Sequence, residues 1–347
     1  MNRRTGSLLA AILAIATVPT AAQWLNYPTP GIPRTPDGKP NLSAPTPKTA
    51  DGKPDLSGLW RVDRSGTAET MKALAAVKAQ PWAEELANKH YDDFGKDSPA
   101  LLCLPLGPQV NNTVRKVVQT PSLIVLLFDD LSYRQVFVDG RRLEQDPNPT
   151  WMGYSVGHWE GDTLVIESNG FNDRTWALGG YPHTEALHVT ERLRRNDFGH
   201  MELYRTYIDP KTLMEPLEVK IKLELDADTE MLEYVCNENE KDHQHIVGKR
   251  SDFKKNEVAV APQILAKYAG TYHFDKLNAL GSNVTISLED GKLVIESMTG
   301  RKPMIALSQT HFVANFGDVN FTTDDQGVAS SLRATIPEGD FKAERQR

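Results

Sequence analysis

The stretch LEVKIKLEL, Leu217–Leu225, decides the fold. Leu217, Val219, Ile221, Leu223 and Leu225 alternate with Glu218, Lys220, Lys222 and Glu224. Successive side chains of a β-strand point to opposite faces, so this spacing makes one apolar and one charged face. Upstream lie SLIVLLFDD, YRQVFVDG, MGYSVGHWEGDTLVIESNG, ALHVTERLRRND and HMELYRTYID, all rich in Val, Ile, Leu, Tyr or Thr. Asp-Gly, Glu-Gly-Asp, Asp-Phe-Gly and Asp-Pro-Lys turns separate them. Strand, short turn and strand in succession predict an antiparallel meander. A run of such strands closes most economically into a barrel, which leaves no exposed edge.

Working outward, residues 67–95 predict a helical segment, AETMKALAAVKA and WAEELANKHY, broken at Pro81. Residues 23–57 read as a Pro/Gly-rich linker in which TPDGKPNLSAP is echoed by TADGKPDLSGL. A second β unit, residues 262–347, repeats the hairpin grammar with EDGK and DDQG turns, and the polar stretch 249–256 marks the boundary. Gly58-Leu59-Trp60, opening the first strand, resembles the start of lipocalin-like barrels. The expected fold is therefore mainly β. It comprises an antiparallel lipocalin-like (calycin-type) barrel over 58–250 with a helical insertion, and a smaller C-terminal antiparallel β domain.

Two longer stretches carry resemblances. WMGYSVGHWEGDTLVIESNGFNDRTW, HTEALHVTERLRR and EYVCNENEKD resemble a family of exported proteins from environmental bacteria. YAGTYHF, VTISLEDGKLVIES and FTTDDQG resemble the small β domain appended to secreted hydrolases, the DUF3471 type. The resemblances imply export and β architecture, and neither implies a catalytic mechanism.

The N-terminus agrees with export. Arg3 and Arg4, an apolar run from Leu8 to Val18, and small residues at Thr20, Ala21 and Ala22 form the three parts of a secretory signal over 1–22. The apolar run is too short to span a bilayer, so no membrane insertion is expected after cleavage, and an uncleaved anchor is the alternative. The expected location is periplasmic or secreted. The formal charge of −7 gives no electrostatic footprint for nucleic acid. The only two cysteines, Cys103 and Cys236, are expected to pair in an oxidising compartment, with a free nucleophilic thiol as the alternative.

Familiar nucleotide and cofactor signatures are missing: no P-loop or dinucleotide G-x-G-x-x-G occurs. No cofactor is expected. Candidate chemistry centres on residues 170–195. A strand through His183–Leu193 would turn His183, Glu185, Leu187, Val189, Glu191 and Leu193 to the barrel interior, and His188 outward. A Glu beside a His sets its tautomer and raises its basicity, as general acid–base work requires. Asp173 and Arg174 lie in a mouth loop, as base and as anchor for a carboxylate or phenolate; a structural Asx turn is the alternative. Arg192, Arg194 and Arg195 read as solvated, whereas Glu191, inward by alternation, needs a partner.

Tyr133, Arg134, Trp151, Tyr154 and His158 interleave aromatics with a cation, as a pocket for an aromatic or sugar ring would; they could equally fill the barrel. Tyr234, beside Cys236, would be a fixed proton donor or ligand contact. His183 and His188 face opposite sides of a strand, and His243-Gln-His245 lacks a third ligand, so no metal is expected. Two function classes follow. The first is a cofactor-independent lyase, decarboxylase or isomerase acting on a small organic acid or phenol, with His183, Glu185, Asp173, Arg174 and Tyr154 as catalytic groups and Arg134, Tyr133, Trp151, His158 and Tyr234 as substrate contacts. The second is a non-catalytic binding protein for an apolar or aromatic small molecule. The expected partner is a small molecule, and a homodimer stays open.

Overall fold

The strand expected at Leu217–Leu225 forms over those residues, and its five apolar side chains are buried. The structure is a computed structural model describing residues 27–110, 112–238, 249, 251–278, 280–297, 300–314, 317–336 and 339–346. Among them, nine strands close into a barrel. Around it run β1 (Gly58–Val62), β11 (Leu217–Leu225), β10 (His200–Ile208), β9 (His188–Arg195), β6 (Thr163–Asn169), β5 (Tyr154–Glu160), β4 (Tyr133–Phe137), β3 (Leu123–Leu127) and β2 (Lys116–Gln119), and β2 returns to β1. Every neighbouring pair is antiparallel except β4 and β5, which are parallel. The meander expectation fails at that one place: residues 138–153 carry the chain back to the end where β4 began. The segment 1–22 and the pair His243 and His245 lie outside the described residues.

Alternation fills the interior. Leu193, Leu203, Ile221 and Leu223 join Trp60, Ile124, Leu126 and Ile166 in one apolar cluster. Val189, Tyr207, Leu217 and Val219 join Phe171 and Leu187 in a second. Between them, along β9 and β10, stand the buried Glu191 and Arg205. The barrel is therefore a packed core with a charged layer, not an open container.

Residues 27–57 run as a turn-rich strap wrapped against the barrel. The echoed sequences fold into matching turns: Thr35 N–H donates to Lys39 O at 2.9 Å, and Thr49 N–H to Lys53 O at 2.8 Å. Gly38 and Gly52 sit at φ 81° and 80°, which a residue with a Cβ adopts only with strain. Each copy then presents a leucine to the lower apolar cluster: Leu56 is wholly buried there and Leu42 packs against it. Arg195, expected in solvent, is instead buried beneath the strap. Its guanidinium donates to the carbonyls of Asp55 (2.5 Å) and Phe198 and lies 5.0 Å from the Trp60 ring. Burial lowers its pKa to about 10, against the pull of Asp55 and Asp197.

Two helices follow β1, α1 (Thr67–Ala75) and α2 (Pro81–Asp92), and Pro81 opens the second, where its missing N–H costs no hydrogen bond. The short strands β7 (Trp176–Leu178) and β8 (Tyr181–Pro182) form a separate hairpin, and His90 of α2 stacks on Trp176 with ring centroids 4.3 Å apart. Cys103 and Cys236 form a disulfide, the pairing expected of an exported chain. In the C-terminal part, nine strands between Gly270 and Arg345 form one antiparallel sheet, with its first strand paired to its last. It curls around an aromatic core in which Tyr268 stacks on Phe321 at 4.7 Å. No helix among the described residues is long and apolar enough to cross a membrane.

Candidate functional site

A single mismatch in strand length creates the most ligand-like feature of the barrel. β1 stops at Val62, opposite Leu223, while β11 continues to Leu217. Residues 217–222 of β11 thus have no strand beside them on that side. The chain satisfies this edge with other groups. Asp63 N–H donates to Lys222 O at 2.8 Å, and the Thr70 hydroxyl of α1 donates to Lys220 O at 2.6 Å. A neighbouring strand lies about 4.8 Å away, but a helix is about 10 Å across, so it cannot close the gap flush. The remaining space is a cavity of about 350 Å³. Val62, Met71, Leu74, Val110 and Ile221 supply its apolar wall, and Gln109, Thr67 and Thr113 its uncharged polar groups. α1 has no fully buried residue and spans nine residues, short of the length at which an isolated helix is stable.

Behind the cavity wall lies the charged layer. Glu191 bonds the guanidiniums of Arg134 and Arg205, the latter through Nε at 2.9 Å. Arg205 Nη1 also donates to the carbonyls of Gln109 and Val110, each at 3.3 Å, and to the Tyr207 hydroxyl at 3.2 Å. The Tyr207 hydroxyl donates to Pro108 O at 2.8 Å. Glu191 thus has the partner that its inward position demanded. Burial alone would raise its pKa, but the two guanidiniums outweigh it and hold the carboxyl below its ordinary range. The layer pins residues 108–110 across the barrel mouth.

The histidine–glutamate pair expected on one strand face does not form. β9 begins only at His188, because Thr184 starts a turn: its N–H donates to Asp209 Oδ2 at 2.6 Å, and Leu187 N–H returns to Thr184 O at 3.0 Å. The turn sends Glu185 into solvent and leaves His183 buried. His183 Nδ1 faces the Thr184 carbonyl at 3.2 Å, so it carries the hydrogen, and Nε2 accepts from the Thr175 hydroxyl at 2.6 Å. Both ring nitrogens are committed. Burial holds the His183 pKa below its ordinary value, against the opposing pull of the Thr184 carbonyl and of Asp209 and Asp173.

A pH dependence follows. Below 6.5, the ordinary value, the unfolded chain takes up a proton that buried His183 resists. Its contribution to stability is therefore complete above 6.5 and declines as pH falls toward the lowered folded value. The melting temperature is expected to drop from pH 7 to pH 5, and His183→Asn to flatten that slope. Equal slopes in thermal melts of both proteins would remove the role assigned to His183.

The other expected site residues disperse. Asp173 and Arg174 are exposed in an Asx turn built on Asn172, whose Oδ1 accepts from Arg174 N–H at 3.1 Å; the Arg174 guanidinium lies 5.9 Å from the Trp151 ring. Tyr133, Tyr154 and His158 alternate with the inward Arg134, Ser155 and Gly157 and so stand on the outer face. Tyr154 accepts from Arg141 at 3.3 Å, and His158 meets Glu160 at 3.3 Å. Tyr234 is exposed over a wider groove of about 540 Å³, where Arg115 pairs with Asp226 at 2.7 Å. Glu185 lines a small pocket of about 200 Å³ with His188 and Asp146. Among the described residues, no three His, Cys, Asp or Glu side chains form a group able to hold a metal.

Sequence reading missed Arg205, Gln109 and the apolar face of α1. The alternation Met201, Leu203, Arg205, Tyr207 carries the signal for Arg205. Gln109 sits in PLGPQVNNT, a stretch without period. No protein-family model matches the chain, and no curated protein is similar to it in sequence.

Proposed function

We propose that the chain is an exported small-molecule-binding protein whose ligand lies between α1 and β11. The observation that carries this reading is the α1–β11 cavity, apolar-walled and about 350 Å³, within the size range of ligand sites. Its position supports the same role. A rigid sheet forms one wall, and a short helix with no buried anchor forms the other, able to admit a ligand without disturbing the core. The lipocalin-like reading is retained as a scaffold, with the ligand at the wall because the interior is filled. The secretory pattern of residues 1–22 and the disulfide fit an oxidising compartment outside the cytoplasm. A second reading, a cofactor-free acid–base enzyme, is favoured by one observation: Glu185, His188 and Asp146 share a pocket.

Fluorescence titration with N-phenyl-1-naphthylamine tests the first reading. Saturable binding at one site is expected, and Leu74→Trp, which fills the cavity, is expected to weaken it at least about tenfold. Absence of saturable binding to the wild-type protein sinks the binding reading. Mass spectrometry of phenols and organic acids incubated with the protein separates the two: unchanged compounds are expected. A product that disappears with Glu185→Gln would instead favour the enzyme.

A further inference from the structure

We infer that the ligand of the α1–β11 cavity is a neutral, mainly apolar molecule of two-ring size with one carbonyl or hydroxyl oxygen, which hydrogen-bonds to the side-chain amide of Gln109. The inference rests on the binding reading above. Gln109 lines the cavity and is only 8% exposed. Among the described residues its side-chain amide has no hydrogen-bond partner, whereas its main-chain carbonyl accepts two: from Arg205 Nη1 at 3.3 Å and from Asn112 N–H at 3.0 Å. The amide is not sealed in the interior but open at the cavity, where a ligand oxygen can take the place of water as its partner. The main chain here is held by the Glu191–Arg205 layer and by Asn112, whose amide donates to Gly107 O at 3.0 Å. Gln109 is therefore pre-positioned, and a ligand oxygen reaching it gains a hydrogen bond with little ordering of the backbone.

Charge and size set the rest of the ligand. The charged residues lining the cavity are Asp63 and Lys222, which have opposite signs. Asp63 is occupied by Ser65, whose hydroxyl lies 2.6 Å away, and it also feels the charge of Lys222. No net charge is offered to an ion, and burying an unpaired ion against Met71, Leu74 and Val110 is unfavourable. Thr70 already donates to Lys220 O, so the polar reach of the site is narrow.

The test uses two probes of matched shape, 2-acetylnaphthalene and 2-isopropylnaphthalene, and two full-length proteins, wild type and Gln109→Met. Calorimetric titration gives the affinity ratio of the two probes for each protein. The preference for the acetyl over the isopropyl compound is expected to fall about three- to tenfold when Gln109 is replaced, the worth of one hydrogen bond. Far-UV circular dichroism and the unfolding midpoint establish that Gln109→Met is folded. Binding of both probes with an unchanged ratio overturns the role of Gln109 while the cavity remains a ligand site. Failure of both probes to bind the wild type overturns the binding reading and this inference together.

Discussion

Glu191→Ala is expected to destabilise the protein by about 3–5 kcal/mol, a large part of the total stability of an ordinary domain. The loss comes from what is left behind rather than from the bonds removed. Arg134 and Arg205 are 6% and 5% exposed and share Glu191 as their carboxylate, so its removal leaves two buried cations without an anion. Equilibrium urea unfolding reads the effect directly. Arg134→Met, Glu191→Leu and Arg205→Met combined is the informative comparison: it removes the whole charged layer, and replacing a buried ion group with apolar side chains of similar volume is often neutral or stabilising. A single variant no less stable than wild type would show that water reaches the layer. Acid acts on the same group. With its folded pKa depressed, Glu191 contributes fully above the ordinary value of 4.5 and loses its contribution as pH falls through the folded value.

Removing the disulfide, as Cys103→Ser with Cys236→Ser, is expected to cost about 2–5 kcal/mol. The bond joins residues 133 apart, and a long closed loop restricts the unfolded chain strongly. Its local effect is as telling. Residues 229–238 have no helix or strand, and Leu232, Tyr234 and Val235 are exposed. With the bond gone, this segment loses its covalent anchor and Tyr234 leaves the groove beside Arg115. Thermal melts with and without reductant measure the global term, and limited proteolysis locates the local one. Equal melting temperatures and an unchanged cleavage pattern would mean that the segment is held by other contacts.

The strands were legible because burial on one face imposes a period of two that no turn residue can imitate. Leu217–Leu225 shows this, and so does Glu191, whose inward position announced a partner before the partner was visible. What stayed hidden depends on where strands stop. One hydrogen bond, donated by Thr184 N–H to Asp209 Oδ2, ends the outward run of β9 and separates His183 from Glu185. The early end of β1 at Val62 is equally silent in sequence, yet it produces the cavity. Arg195 obeyed its alternation and pointed inward; its charge suggested solvent only because its partners, backbone carbonyls of Asp55 and Phe198, have no signature in side-chain chemistry. Tyr154 and His158 were legible as strand residues, but their face could be read only against Ser155 and Gly157.

The N-terminal strap bears on how the chain reaches this state. Thr29 N–H donates to Asp228 Oδ1 at 3.0 Å across a separation of 199 residues, and Arg34 Nη1 reaches Asp228 Oδ2 at the same distance. Gly199 N–H donates to Leu42 O at 2.7 Å. The portion synthesised first is thus held by portions synthesised far later, a topology of high contact order. A growing chain cannot seat Leu42 or pair Arg34 until residues 199 and 228 have emerged, so the barrel base is sealed last. Until then its apolar floor is uncovered and open to misassembly.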